Sequence, residues 1–158
     1  MSVKDRLDDA RLLWSKGRKE GAFVMVLIAV AATSRKRYPR SQIKSDGEAF
    51  EKFVLDEMGT ITGGPSVNVA FPFKGQQRVP LEEILYRHLR CQLVHEGAMP
   101  ESIVFTQPEL KNGRVCNVLR LKDPLGFPEG WIENLLRAVC KAPENADLFS
   151  SGRGSGTA

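Results

Sequence analysis

The stretch Ala22–Ala32, with the sequence AFVMVLIAVAA, is the longest apolar run of the chain and decides its fold. Eleven residues are too few to cross a bilayer as a helix, which takes roughly 20. The preceding residues are charged and helical in spacing, unlike the short basic start of a signal peptide. We therefore expect a buried helix at the centre of a bundle, running from Arg18 to about Arg37 and ending before Pro39.

Apolar residues at intervals of three and four predict further helices on both sides of this run. The first extends from Val3 to Lys16, and Gly17 can end it. A third helix is expected from Asp46 to Gly59, a fourth from Pro80 to about His95, and a last one after Pro128.

Two segments are rich in β-forming residues, Ser102–Thr106 and Arg114–Leu121, and they are separated by turn residues that include Asn112–Gly113. They predict a small hairpin inserted into the bundle. The Gly- and Pro-rich connection before the fourth helix offers at most one short strand, at Ser66–Val69. The predicted fold is mainly α, a bundle of about five helices with one inserted β-hairpin. Residues 1–149 form a single domain, and residues 150–158 form a flexible Gly/Ser-rich tail.

Length and composition fit one globular domain. The chain has 158 residues, and its 42% hydrophobic and 27% charged residues exclude fibrous and fully disordered classes. The net charge of +4 permits an anionic partner but does not require one. The cysteines Cys91, Cys116 and Cys140 lack the close spacing of zinc or redox pairs, so we expect a reducing cytoplasm, no metal and no cofactor.

Positive charge is concentrated at the predicted end of the central helix. Residues 33–44 contain five basic residues and no acidic one: Arg35, Lys36, Arg37, Arg40 and Lys44. Such a run can bind the phosphates of a polyanion. It can equally be a basic helix end that interacts favourably with the helix dipole, and the acidic residues that follow from Asp46 can neutralise part of it.

Both histidines of the chain, His88 and His95, lie on the predicted fourth helix. An imidazole moves protons near neutral pH and a guanidinium binds phosphate, so Arg with His suits metal-free cleavage of a phosphodiester. Five residues of α-helix place Arg90 and His95 about 140° apart, so a joint site requires a bend or a second copy of the helix. Alternatively, His95 caps free carbonyls while Arg87 and Arg90 pair with glutamates.

Three segments together resemble the HEPN superfamily of small helical-bundle domains: Lys16–Ala22, Arg35–Pro39 at the end of the central helix, and Leu85–Gly97. The shared signature is an Arg followed, after four to six residues, by a His, here Arg90 and His95. The resemblance implies a homodimer in which these residues of both copies line one cleft. In many members that cleft is a metal-independent endoribonuclease.

Transferred by position, the resemblance makes Arg90 and His95 the catalytic residues, which leave a 2′,3′-cyclic phosphate on the RNA. Arg87, Arg35, Arg37 and Arg40 then guide the RNA. A defence or toxin–antitoxin role follows, with an antitoxin or a nucleotidyltransferase as partner. Cys91 stands where active members often carry a polar residue, so a non-catalytic dimer that binds a protein or a nucleotide stays open as the alternative.

Overall fold

The structure, a computed structural model, describes residues 2–64 and 68–150, and this part of the chain is mainly α-helical, as the sequence predicts. Within these residues seven helices follow one another. Their bounds are α1 Val3–Ser15, α2 Lys19–Arg37, α3 Asp46–Asp56, α4 Met58–Thr62, α5 from Leu81 to Glu96, α6 Glu129–Lys141 and α7 Ala146–Phe149. A short 3₁₀ turn, Pro143–Asn145, precedes α7.

Helix α5 changes its hydrogen-bonding pattern along its length. It begins as an α-helix at Leu81–Glu83, continues as a π-helix over Ile84–Arg90, and returns to α-helix at Cys91–Glu96. A π segment, with i→i+5 hydrogen bonds, is rare and is found frequently at functional sites. Gly97, whose φ of 70° lies in the left-handed region, ends the helix.

In the part of the chain that the structure describes, six short strands form three separate two-stranded sheets. Strands β1 (Ala70–Phe73) and β2 (Gln76–Pro80) form a hairpin, as do β4 (Glu109–Lys111) and β5 (Arg114–Cys116). Strand β3 (Ile103–Thr106) instead pairs in parallel with β6 (Leu125–Pro128), in register from Ile103 with Leu125 to Thr106 with Pro128.

The hydrophobic core surrounds α2. This helix packs against α1, α3 and α6, and residues from both ends of the apolar run, Phe23 and Val30, are completely buried. The ring of Phe23 lies 5.7 Å from that of Phe105 and 5.5 Å from that of Phe127, so the β3–β6 sheet closes one end of the core. Most of the run is buried or partly buried, which explains why it lacks the polar stripe of a surface helix.

The structure corrects the predicted hairpin. Asn112 and Gly113 do form its turn, with φ of 51° and 73°, but the turn joins β4 to β5. The apolar segment Ile103–Thr106 pairs with residues about twenty positions later, because those residues, unlike the exposed β5, can share a buried sheet with it. The short helices α4 and α7 raise the number of helices above the expected five.

Two further predictions fall partly or wholly outside the described residues. Ser66 and Val67 of the expected strand lie there, and so does the tail from residue 151 onward.

Candidate functional site

Helix α5 has one face buried in the core and another that is accessible to solvent. Its apolar side chains Leu81, Ile84, Leu85, Leu89 and Leu93 are buried in the core. Arg87 and His95 are exposed, whereas Arg90 and Cys91 are half-buried. The apolar residues therefore fix the helix, and the basic residues of the Arg/His signature lie at or near its surface.

The π segment of α5 shifts the faces that a regular α-helix would present. The N–H of Cys91 donates to the carbonyl of Tyr86, five residues earlier. A residue within this wider helix advances through a smaller angle than in an α-helix, so Arg87 no longer shares one straight stripe with Cys91 and His95. The α-helix resumes at Cys91 with Arg90 as its N-cap residue in helical conformation, so Arg90 and His95 are about 140° apart around its axis.

Arg90 is held by an aromatic ring and by no carboxylate. Its guanidinium carbon lies 5.6 Å from the centre of the Tyr86 ring, which itself packs against Phe50 with ring centres 5.3 Å apart. Its Nε is buried and has no hydrogen-bond partner, and no ion pair involves Arg90 within the described part of the chain. A guanidinium in this state retains donors for an anionic ligand such as a phosphate.

His95 is exposed in the last turn of α5. Among residues 2–64 and 68–150 it makes no hydrogen bond or ion pair, and the backbone of Gly97, not His95, donates to the carbonyl of Leu93. The alternative in which His95 caps the helix is thus not what the structure shows. The exposed imidazole of His95 is therefore accessible to a ligand.

Arg87, by contrast, pairs with carboxylates as the structural alternative predicts. Its guanidinium lies 3.7 Å from Glu83 and 4.0 Å from Glu51. These exposed pairs contribute little and can be exchanged for a phosphate. Burial raises the pKa of the adjacent Glu82, whose Oε2 has no partner, and nearby Glu51 adds to that rise.

The remaining polar groups of α5 have limited freedom. His88 packs edge-on against Phe73 with ring centres 4.8 Å apart, and burial, followed by the charge of Lys74, lowers its pKa. It is therefore neutral at neutral pH and belongs to the packing of β1 against α5. Cys91 is a free, half-buried thiol that offers no strong hydrogen bond to a substrate.

Arg35, predicted to guide RNA, joins the α2–α3 connection. Its Nε donates to Asp46 at 2.5 Å, and its terminal nitrogens donate to the carbonyls of Tyr38, Ile43 and Lys44. All of its donors face this loop. The residue holds the end of α2 against the start of α3, and its role in RNA binding stays a prediction.

Arg37, the second of these predicted RNA contacts, is also used inside the protein. It donates to Glu144 and Glu57 at 2.9 and 2.8 Å, stacks 4.5 Å above the Phe53 ring, and only 15% of its side chain is exposed. Burial lowers its pKa, but the bonds to Glu144 and Glu57 outweigh burial and raise it. Arg40 remains 75% exposed, and its only carboxylate partner in the described structure is Asp46, whose two oxygens lie 3.3 and 3.5 Å from Nη2.

The sequence did not reveal a second basic site, which lies at the turn of the β1–β2 hairpin. There Lys74 and Lys122, which are 48 positions apart in the sequence, line one groove together with Ser102. The signal was the dipeptide Lys74–Gly75, a tight-turn pattern with a lysine at a position that favours Asn or Gly. Only the fold could show that the loop carrying Lys122 lies opposite it.

The described residues hold no group of three or more His, Cys, Asp or Glu side chains suited to a metal ion. Likewise, none of the helices in residues 2–64 and 68–150 is both long enough and apolar enough to cross a membrane.

These observations define a mainly α-helical domain with an unpaired Arg and an exposed His on a π-containing helix. More particularly, the chain belongs to the Rv1289 family, whose model matches residues 2–154. No curated protein matches the chain, and no solved structure does.

Proposed function

We propose that this protein acts on RNA through the surface of α5 that carries Arg90 and His95, as a HEPN-like metal-independent endoribonuclease. The observation that supports this most is the state of Arg90. Arg35 and Arg37, the other half-buried arginines of the predicted set, have carboxylate partners, whereas Arg90 has none. A half-buried guanidinium without a counter-ion is costly, and a bound phosphate removes that cost.

The active form is a homodimer in this proposal. Because Arg90 and His95 of one helix point about 140° apart, a single copy cannot direct both at one phosphorus atom. Two α5 helices that meet at a two-fold axis place the Arg90 of one copy near the His95 of the other. The five longer helices, α1, α2, α3, α5 and α6, serve as the HEPN-like bundle, and the exposed Arg87 and Arg40 guide the RNA toward the cleft.

The chemistry requires only these two side chains from each copy. His95 of one copy takes the proton of the ribose 2′-hydroxyl, whose oxygen attacks the adjacent phosphorus. The bond from phosphorus to the 5′-oxygen breaks, and that oxygen receives a proton from the protonated His95 of the second copy. Arg90 donates hydrogen bonds to the non-bridging oxygens as negative charge develops on them. The products are a 2′,3′-cyclic phosphate and a 5′-hydroxyl.

The setting that goes with this activity is the cytoplasm, where the three free thiols stay reduced. There a free ribonuclease of this kind needs a restraint. We therefore place it in a defence or toxin–antitoxin system, with an antitoxin or a nucleotidyltransferase as its protein partner.

The test is cleavage of mixed structured and single-stranded RNA in EDTA by wild type, Arg90→Ala and His95→Ala proteins of verified folding. Cleavage by wild type alone, with cyclic-phosphate ends, supports the proposal. Mixing the two inactive variants should not restore the activity, because each mixed dimer retains only one His95 and the reaction uses the His95 of both copies. Equal activity in all three preparations would overturn it.

Cys91 favours a second candidate, a dimer that binds a protein or a nucleotide without cutting RNA. A half-buried thiol follows Arg90 where active HEPN-like proteins often carry a polar side chain. This candidate predicts that no RNA is cut under any condition, while His95→Ala weakens capture of the partner. A Cys91→Asn variant that gains or increases cleavage would show that the cleft is built for catalysis.

A further inference from the structure

A groove on the strand side of the molecule lies beside the β1–β2 turn. It has a volume of about 360 Å³ and is bounded by that turn on one side and by the loop before β6 on the other. The groove is lined by Lys74, Gln76, Gln77, Ser102 and Lys122, among other residues. A second depression shares Lys74 and Ser102 and continues to Gln92 and Glu96 on α5. The two depressions adjoin at Lys74 and Ser102, and the second reaches the face of α5 that carries Gln92 and Glu96.

The two lysines of the groove are available. Both are exposed, and neither forms an ion pair within the described residues. Asp123 lines the same groove as the two lysines, so the groove has a formal charge of +1 (two lysines and one aspartate). The second depression holds Lys74 with Glu96 and Glu101, so an anionic group is favoured in the groove and not in the depression.

Lys74 occupies a backbone conformation that a lysine rarely adopts. Its φ is 47°, in the left-handed region, followed by Gly75 at 76°. The β4–β5 hairpin uses the same kind of turn but places Asn112 at the equivalent position, with φ 51°. Asn tolerates this conformation better than Lys does, so the lysine costs stability that an asparagine would not. A cost of this kind at a groove points to a function for the side chain.

Ser102 adds a neutral donor to the same place. Its Oγ is buried and has no hydrogen-bond partner, although the residue lines both depressions. Rotation about its Cα–Cβ bond toward the groove would break no hydrogen bond. Together with the amides of Gln76 and Gln77, this hydroxyl suits the oxygens of a phosphate and the edges of an unpaired base.

We infer that the groove binds the backbone of single-stranded RNA, with a phosphate held between Lys74 and Lys122 and near the Ser102 hydroxyl. This inference rests on the proposal that RNA is the ligand, but not on cleavage by Arg90 and His95. It adds a substrate class, unpaired RNA, because a base-paired helix would not admit the amides to its base edges.

The experiment measures the salt dependence of binding in EDTA, with a short fluorescein-labelled oligouridylate as probe and fluorescence anisotropy as readout. All proteins carry His95→Ala, so that the RNA stays intact. Lys74→Asn and Lys122→Gln remove one charge each from the groove. Lys141→Gln is the matched control, because Lys141 is exposed on α6, outside the groove, and has no ion pair in the described structure.

Each groove substitution should weaken binding about five-fold at low salt, the effect of one exposed charge contact. Each should also reduce the slope of log affinity against log salt by about 0.7, the value for one phosphate contact on a single strand. Lys141→Gln should change neither. Lys74→Asn should fold at least as stably as its parent, since asparagine suits the turn, so lost binding cannot be attributed to unfolding.

Two results would overturn the inference. If the salt slopes of the groove variants equal that of their parent, the groove does not bind RNA. The proposed nuclease activity would then be unaffected, because the cleavage assay tests it independently. An equal loss with Lys141→Gln would show an effect of net charge alone. If the parent does not bind the probe at any salt while wild type cleaves RNA, the groove fails and the proposed function stands; if neither binding nor cleavage occurs, both fail.

Discussion

The basic run at the end of α2 and the groove beside the β1–β2 turn differ in a way that the sequence hides. The run is dense in charge, but Arg35 and Arg37 donate to carboxylates and carbonyls of the protein itself, and Lys36 donates to Asn145 at 3.0 Å. The groove draws only two lysines from distant parts of the chain, and both are unpaired within the described residues. Availability for a ligand therefore depends on the fold and not on charge density along the sequence.

The physical reason is that a guanidinium has five N–H donors, which can bond to acceptors in several directions. At the end of α2 the chain turns back through Tyr38 and Lys44, which brings free carbonyls to Arg35. Arg37 meets Glu144, more than a hundred residues later, because α6 and the 3₁₀ turn pack beside α2. The two lysines of the groove lie in exposed turns and form no ion pair within the described residues, although Asp123 lines the same groove.

The largest effect on stability should come from Arg37→Met, a substitution in the basic run at the end of α2. It leaves Glu57 and Glu144 close together with no counter-charge, while Asp56 keeps Lys52, so the free energy of unfolding should fall by about 3 kcal/mol. Urea denaturation at neutral pH measures this. Arg37→Lys, which keeps the charge but not the fork of donors, should lose about half as much. A loss below about 1 kcal/mol for Arg37→Met would mean that the pairs are not structural.

Arg35→Ala should have the next largest effect. It removes hydrogen bonds to three backbone carbonyls and to Asp46, and we expect a loss of about 2 kcal/mol of unfolding free energy. Hydrogen exchange should speed up in the α2–α3 connection, residues 38–45, and not in α6. Unchanged exchange there would contradict the assigned role.

A smaller effect is expected for pH, through His88. Burial and then Lys74 lower its pKa in the folded protein, and Arg87 acts in the same direction while Glu83 opposes it. The unfolded chain therefore binds the proton more readily, and stability should fall as pH drops below the ordinary histidine value of about 6.5. In His88→Phe the fall in Tm between pH 7 and pH 5 should be reduced. An identical pH profile in the variant would count against this assignment.

The smallest effect on stability should come from Arg40→Gln. The side chain is 75% exposed and its contact with Asp46 is long, so the free energy of unfolding should change by less than about 0.5 kcal/mol. The same variant sharpens the comparison, because Arg40 is the arginine of the run most open to RNA. A clear loss of RNA affinity with unchanged stability would show that the run contributes to binding through Arg40.

Local pattern was enough to predict the long helices. The predicted start of α2, Arg18, lies one residue before the observed start, and the predicted end before Pro39 agrees with the observed end at Arg37. Gly97 lies just beyond the observed end of α5. The π segment of α5 was not predictable, because its apolar spacing is also that of an ordinary α-helix; within it, Tyr86 packs against Gly47 and Phe50 of α3, which are distant in sequence. Pairing of β3 with β6 depends equally on contacts distant in sequence.

The same limit applies to the candidate site. Arg90 and His95 could be selected from the sequence, since their chemistry and spacing are visible there. That Arg90 lacks a carboxylate, while Arg37 has Glu57 and Glu144, could not be predicted, because those partners are decided by helix packing. Lys74 and Lys122 become neighbours of one groove only after the strands have paired.

The most direct test of the comparison is chemical footprinting of the folded protein, with arginine- and lysine-specific reagents and mass spectrometry, in the presence and absence of single-stranded RNA. The account predicts slow modification of Arg35 and Arg37 in both conditions. Arg90, Lys74 and Lys122 should react and become protected when RNA is added, whereas Lys141 should react equally in both. Rapid modification of Arg35 and Arg37 that RNA suppresses, with no protection of Arg90, Lys74 or Lys122, would contradict it.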